Sequence, residues 1–528
     1  MDIKTEEKQK RIHIIISLLA VLIIAIQAGL SWKLFWEPVQ KLFSGNSGLV
    51  ETAETITSNY ISDLLPGKNW YITINGLFAR LTGRRRYNKV TIMKNGMLTG
   101  EAETEFEVQL DKSAAEWIAP FLSDLKEKGI ASIFVQTPIK EPYTESLLPS
   151  GLHDNENVKM DNFLAILDSK EVNTLDLRPL LSATREDVER NFYRTDGHWN
   201  ADGAMTAFRE IVLKLARITQ RNLDLSFIDD SKWMRYEKED WWLGNKGRRV
   251  GALFAGTDSL IWYLPIQEQE ISCAIPSKNK FTFGDFSDTC VYSKYINDRD
   301  LFGLNNYWVY GGSNYPMVEY RNLEAPNAFK VLILGDSFSL PINAFMSTVF
   351  SRVDCIDPRY YTASSISEYI SWTKPDAVIL IRRVPTIEQL YGAEIEEYTD
   401  PIINWETVYQ CDEVTLEASK NKRYNTAKVE TKLERGKTYH ISFDEICVID
   451  GETRGVSVLL YEKTKKQVIW STIMDIDYCQ AKEDFSWSFS VPKEKGKYEL
   501  RLCAGLYGKT RGVGVVYKDV VVSLDNQE

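Results

Sequence analysis

Asp196-Gly197-His198 places a carboxylate and an imidazole two positions apart across a glycine, a spacing at which the carboxylate reaches a ring nitrogen. A serine hydroxyl is a poor nucleophile at neutral pH unless an imidazole takes its proton and a carboxylate holds that imidazole in the right tautomer. Such a serine is offered by Val331-Leu332-Ile333-Leu334-Gly335-Asp336-Ser337, where four aliphatic residues run into a Gly-Asp-Ser turn. Histidine narrows the choice of base, because the chain has only four. His13 lies in an apolar amino-terminal run and His440 in a region of alternating strands. His153 lies in a loop, Gly151 to Asn155, with nothing to recruit it. A metal would need third and fourth ligands that no spacing supplies, so none is expected. Each motif alone is commonplace; together, Ser337, His198 and Asp196 read as the nucleophile, base and orienting carboxylate of acyl transfer.

These residues need elements to hold them. The four aliphatics before Gly335 predict a buried, parallel strand, and α/β folds keep their chemistry at the carboxyl ends of such strands. The surrounding pattern alternates: a helix over Lys112 to Lys128, a strand over Ile130 to Thr137, another at Thr174 to Leu177, and a buried strand over Pro375 to Ile381. A helix from Asp202 to Ile218 carries Ala204, Ala207, Phe208, Ile211, Val212 and Leu215 on one side. This rhythm implies a three-layer α/β/α domain with a parallel sheet. Asn95-Gly96 predicts a tight hairpin within Asn88 to Leu98. Asn200 is positioned to cap the helix after it, Asp336 to brace its turn, and Trp199 to pack over the imidazole. Asn222 to Asn327 shows no regular period and reads as an irregular insertion. Its aromatics, Trp241 and Trp242 among them, either line a substrate groove or pack a core.

Beyond about Thr399 the period changes. Phe485-Ser486-Trp487-Ser488-Phe489-Ser490-Val491 alternates without a break, and several short strand-like runs follow one another with no helix between, which predicts an all-β sandwich over 399–528. Trp405, Trp470, Tyr461 and Tyr507 could stack on sugar rings there, or the sandwich could be purely structural.

A chain of 528 residues exceeds one hydrophobic core, so several domains are expected. The net charge of −11 excludes a nucleic-acid surface, which needs a surplus of Lys and Arg. Arg84-Arg85-Arg86 reads as a solvated face or turn. Ile12 to Leu30 is nearly all apolar and, at ~1.5 Å per residue, just spans a bilayer core. Lys4, Lys8, Lys10 and Arg11 precede it and Trp32 and Trp36 follow, so 1–11 read as a cytoplasmic tail and 12–31 as an uncleaved anchor with the rest extracytoplasmic. An amphipathic helix is expected over Gly48 to Leu64, ending before Pro66. The seven cysteines could pair in that compartment, but the count is odd and they read as mostly buried free thiols, with Cys273–Cys290 and a pair among the last four as the only bridges to test.

Thr195-Asp196-Gly197-His198-Trp199-Asn200, then Leu334-Gly335-Asp336-Ser337-Phe338-Ser339, together resemble the alginate O-acetyltransferase group (AlgX/AlgJ-type, DHHW) of SGNH-hydrolase-like proteins, in which the Asp-x-His-Trp block precedes the Gly-Asp-Ser block. Thr137-Pro138-Ile139-Lys140, Asp176-Leu177-Arg178-Pro179-Leu180 and Lys374-Pro375-Asp376 fall in family order. The resemblance covers roughly Phe35 to Ile387 and implies an SGNH-like domain over 32–398, with the insertion at about 222–327, and a carbohydrate-binding-module-like sandwich. It implies an acetyltransferase acting on hydroxyls of an extracytoplasmic polysaccharide through acetyl-Ser337. No cofactor would be bound, because a membrane-bound O-acyltransferase (MBOAT-type) partner would supply acetyl drawn ultimately from acetyl-CoA. The same triad would serve an acetylesterase, and a non-catalytic glycan-binding scaffold is the third reading. The Ser337 N–H is one oxyanion donor by geometry. The departure at Arg382-Arg383, where relatives carry an acidic residue before arginine, leaves either arginine as the guess for a second.

Overall fold

The computed structural model describes residue 40 and residues 67–101, 108–383, 404–482 and 485–526, without the side chains of 108–113. The expected anchor, Ile12 to Leu30, and the amphipathic stretch Gly48 to Leu64 lie outside them. Among the described residues no helix is long and apolar enough to cross a membrane. The chain divides into two compact units, Met1–Asn88 with Gly247–Gly256, and Lys89–Lys246 with Thr257–Glu528.

In the first unit, helix α1 (Lys68–Leu81) follows Gly67, whose φ of 77° only glycine adopts freely. It lies on the backbone of residues 247–256, and its buried residues are Gly76 and Ala79.

The second unit opens with the short paired strands β1 (Val90–Ile92) and β2 (Leu98–Thr99), joined through Gly96 at φ 83°. There follow α2 (Val108–Glu127), β3 (Ala131–Gln136), α3 (Glu156–Ser169), β4 (Thr174–Asp176) and α4 (Ala201–Thr219). Then come β5 (Trp233–Trp242), β6 (Asp258–Pro265), β7 (Glu270–Ile275), β8 (Lys280–Asp285), β9 (Met317–Asn322) and β10 (Asn327–Gly335). The α/β part closes with α5 (Ser339–Met346), β11 (Phe350–Ile356), α6 (Ile366–Thr373) and β12 (Ala377–Arg382).

Eight of these strands form one sheet in the order β4-β3-β12-β10-β11-β9-β7-β8. The first five run parallel. Helices cover both faces, as the unbroken aliphatic runs require. Val331 and Ile333 join Ala204, Phe208 and Phe345 in the core under α4 and α5. Leu332 and Leu334 join Phe163 and Ile370 in the core on the other face.

The sheet is mixed rather than wholly parallel. Strands β9, β7 and β8 add to it antiparallel, and all three come from the stretch read as an irregular insertion. Short strands buried on both faces, or lying at an edge, carry no strict alternation by which to be recognised.

The sandwich has two sheets. One comprises β13 (Trp405–Leu416), β15 (Thr438–Phe443), β16 (Glu445–Asp450), β19 (Phe485–Ser490) and β21 (Gly514–Asp525). The other comprises β14 (Thr426–Lys428), β17 (Gly455–Glu462), β18 (Gln467–Asp475) and β20 (Tyr498–Cys503). All seven cysteines are free thiols, four of them buried, in line with the free-thiol reading, and neither of the bridges to be tested forms. Cys273 and Cys290 are buried side chains of the main core, and burial pushes the Cys273 thiol up to about 12.

Candidate active site

Ser337 sits just past the carboxyl end of β10, the central strand, whose Gly335 pairs with Ile381 of β12. A Cβ on Gly335 would lie 2.5 Å from the Ser339 hydroxyl oxygen, so this tight reversal excludes any side chain there. Asp336 braces the turn: its Oδ1 accepts the Phe338 N–H at 2.9 Å, and its carbonyl accepts the Ser339 N–H at 3.0 Å and hydroxyl at 2.8 Å. The Tyr307 hydroxyl donates to the Ser337 carbonyl at 2.9 Å.

His198 reaches this serine from the loop before α4. Its Nε2 lies 2.8 Å from Ser337 Oγ, and its Nδ1 lies 2.5 Å from Asp196 Oδ1. The local fold places it: Phe192 and Trp199 form an antiparallel bridge, and Asn200 caps α4 by accepting the Gly203 N–H at 3.0 Å. Trp199 does not cover the imidazole. Trp199 turns into the core, edge-on to Phe338 with 5.2 Å between ring centres. Tyr307 takes the expected place, stacked on His198 at 4.1 Å with a 15° interplanar angle.

Asp196 is buried. Burial by itself would raise its carboxyl, but the charge of His198 and hydrogen bonds from His198 and from the Asn245 N–H, at 2.7 Å, hold it well below the usual carboxylate range. A buried carboxylate that stays ionised is suited to orienting an imidazole and stabilising its charged form.

A second layer grips the peptide just before Asp196. Asp258, at the start of β6, accepts the Arg194 N–H at 2.5 Å, the Thr195 N–H at 2.8 Å and the Thr195 hydroxyl. The Thr195 hydroxyl oxygen accepts the Gly244 N–H at 2.7 Å, and its carbonyl accepts the Lys246 N–H at 3.1 Å. On the other side, the Arg194 carbonyl accepts the Leu98 N–H at 2.8 Å and the Lys140 ammonium at 3.1 Å. Lys140 is buried, and burial pulls it down to about 8 although Asp258 and Asp196 push it up. None of Tyr307, Asn245, Asp258 or Lys140 stood out as a site residue in the sequence. The only local signals were Lys140 at a strand end and Asn245 shortly after Trp241-Trp242.

The remaining candidates disperse. Arg382 is 1% exposed and lies on the sheet face of Leu380, opposite the face that carries Ile381 and the His198 loop. Arg383 pairs with Glu156. Trp242 is fully buried, edge-on to Tyr193 at 4.8 Å, and belongs to the core. Trp241 packs against the same core with the Lys238 ammonium 4.3 Å above its ring. In the sandwich, Trp405 lies 5.3 Å from the His440 ring. Trp470 lines a cavity of about 370 Å³ between the sandwich and the sheet, together with Trp372 and Trp487.

A sheet sandwiched between helices, with a hydrogen-bonded serine, histidine and aspartate at the carboxyl end of its central strand, is consistent with an SGNH hydrolase-like domain. Residues 99–226, which include Asp196 and His198, match the family model described as "SGNH hydrolase-like domain, acetyltransferase AlgX". The match is to the AlgX-type domain and covers about a quarter of the chain. Among the solved structures that resemble the chain are the following three. Bacillus cereus PatB1 with a sulfonyl adduct is 18% identical, covering 57% of this chain and 95% of that one at a TM-score of 0.47. A DHHW family protein from Eubacterium siraeum is 15% identical, covering 60% and 97% at 0.45. Pseudomonas aeruginosa AlgX is 13% identical, covering 83% and 95% at 0.34. No curated protein matches the chain.

Proposed function

We propose that this chain is an O-acetyltransferase that moves acetyl groups onto hydroxyls of an extracytoplasmic polysaccharide, with Ser337 as nucleophile, His198 as general base and acid, and Asp196 as orienting carboxylate. The observation that carries the reading is the continuous contact from Ser337 Oγ through His198 to Asp196, 2.8 Å and 2.5 Å long. Ser337 attacks the acetyl carbonyl carbon as its proton passes to Nε2, and the Ser337 N–H faces the developing oxyanion. The tetrahedral intermediate collapses, His198 returns that proton to the departing donor oxygen, and acetyl-Ser337 remains. A sugar hydroxyl then gives its proton to Nε2 and attacks the acyl-enzyme, and the proton returns to Ser337 Oγ.

The apolar run Ile12 to Leu30 fits a tether that holds the site beside a membrane-bound acetyl donor. Trp470, Trp487 and Trp372 fit an acceptor glycan on the sandwich side. Trp470→Ala is expected to lower polysaccharide retention while leaving turnover of a small acetyl ester unchanged.

The test is turnover of a chromogenic acetyl ester with intact-mass detection, for wild type and Ser337→Ala, with and without polysaccharide. One acetyl group on the wild type and none on the variant is expected, with acetylated glycan exceeding free acetate when acceptor is present. Acetate release that ignores the acceptor would identify an esterase. An adduct on Ser337→Ala equal to that on wild type would refute the nucleophile.

A further inference from the structure

Helix α1 is amphipathic in the reverse sense for a surface helix. At 100° per residue, Trp70, Leu81, Ile74, Phe78 and Tyr71 fall within an arc of about 100°. All five are exposed, led by Leu81 at 73%, Trp70 at 71% and Phe78 at 62%. The inward face is small. A Cβ on Gly76 would lie 1.8 Å from the Val250 carbonyl oxygen, and a Cβ on Gly251 would lie 2.5 Å from Thr73 Cα. The bulky side chains therefore have no room against residues 247–256 and stand outward. Leu253, in the same unit, is 53% exposed and adds to the apolar surface.

Charge is segregated onto the same unit. Residues 67–88 contain five Lys or Arg and residues 247–256 two, with no Asp or Glu in either, in a chain whose net charge is −11. Arg84-Arg85-Arg86 thus belongs to a basic unit with an exposed aromatic and aliphatic stripe. Apolar stripes of this size mark interaction sites, and Trp, Phe and Leu opposite Arg and Lys is the composition of a helix that lies in a lipid interface. Tryptophan and tyrosine favour the headgroup level, and each basic residue near an anionic surface adds about 1 kcal/mol of attraction. The apolar run Ile12 to Leu30, earlier in the sequence, is the stretch read as a membrane anchor. From these observations we infer that α1 and its basic neighbours dock on the surface of an anionic lipid bilayer, with the Trp70, Ile74, Phe78 and Leu81 stripe in the headgroup region. The inference is independent of the acetyl-transfer reading.

The test uses the full chain in nanodiscs of brominated phosphatidylcholine, with and without phosphatidylglycerol. Bromine quenches tryptophans at membrane depth, and subtracting the signal of Trp70→Phe cancels the contribution of every other tryptophan. Trp70-specific quenching is expected with phosphatidylglycerol. It should fall at least twofold, on the scale of about 1 kcal/mol per charge, when phosphatidylglycerol is omitted or when Arg84, Arg85 and Arg86 are changed to Gln. Unchanged turnover of a chromogenic acetyl ester shows that the variants are folded. Absence of Trp70-specific quenching in both lipids overturns the inference and points to a protein cover, such as residues 48–64 or a second copy. Equal quenching in both lipids overturns its anionic component.

Discussion

At the residue scale the site depends on one buried lysine and one buried aspartate that touch no reacting atom. Lys140 and Asp258 hold the two ends of the Arg194 peptide, two residues before the carboxylate that orients His198. The groups facing the Lys140 ammonium are Asp258 from β6, Asp196 from the catalytic loop and Lys246. Burial lowers Lys140 to about 8, so ester turnover is expected to decline as pH rises through that value and the ammonium is lost. Lys140→Met should be at least about tenfold slower and lack that decline; a wild-type profile flat across pH 8 would refute the role. Stability should move the other way. The folded-state value lies below the ordinary 10.5, so between about 8 and 10.5 the unfolded chain binds more protons and this group's contribution to stability rises with pH. The melting temperature of wild type minus that of Lys140→Met should therefore increase over this window, whereas a loop that merely loosened at high pH would make it fall. For Asp196 the sign is the usual one for a depressed carboxylate: its contribution is present at neutral pH and lost on acidification.

At the scale of elements, two local devices present the triad. The first is the turn after β10, where Gly335→Ala would drive a methyl group into Ser339. A displacement of Ser337 on the order of 1 Å is enough to cost about a hundredfold in turnover, and that is the loss expected, measured by ester hydrolysis beside near-ultraviolet circular dichroism. The second is the start of α4. Asn200→Ala removes the cap on Gly203 and leaves the Arg190 carbonyl without the amide that donates to it at 2.7 Å. A loss of about 2 kcal/mol in denaturant unfolding is expected. Both devices were legible beforehand, since a Gly-Asp-Ser after an aliphatic run and an Asn before a periodic helix act over three or four residues. Trp199 differs from its expected place because it packs into the core against Phe338 while Tyr307, distant in sequence, stacks on the imidazole.

At the scale of the whole second unit, the sandwich is fixed to the α/β sheet by specific polar contacts. Asn279 donates to the Tyr507 carbonyl at 2.5 Å, Ser471 to the Pro276 carbonyl at 3.1 Å, and Arg454 joins Glu270 of β7 to Asp475 of β18. Arg454 also lies 5.0 Å over the Phe283 ring. Asp475 is 3% exposed, so Arg454→Ala would strand a buried carboxylate; a loss of about 3 kcal/mol is expected, partly restored in Arg454→Lys. Equal stability of Arg454→Ala and wild type by calorimetry would show that solvent already compensates Asp475.

What the sequence determined by itself was whatever is encoded in runs of neighbouring residues. Aliphatic strands covered on both faces, the helix with Ala204, Phe208 and Ile211 on one side, the alternation of Phe485 to Val491, and the Asp-x-His and Gly-Asp-Ser blocks all belong to that class. Tertiary structure alone decided which distant groups converge on those blocks. Tyr307 over the imidazole, Asn245 on Asp196, and Asp258 and Lys140 on Arg194 come from separate segments, three of them within the stretch whose strands carry no alternation. It also decided that Trp242 is core and that the stripe of α1 is exposed. Burial is a property of what packs against a side chain, and a periodic pattern states only that a face exists, not what lies against it.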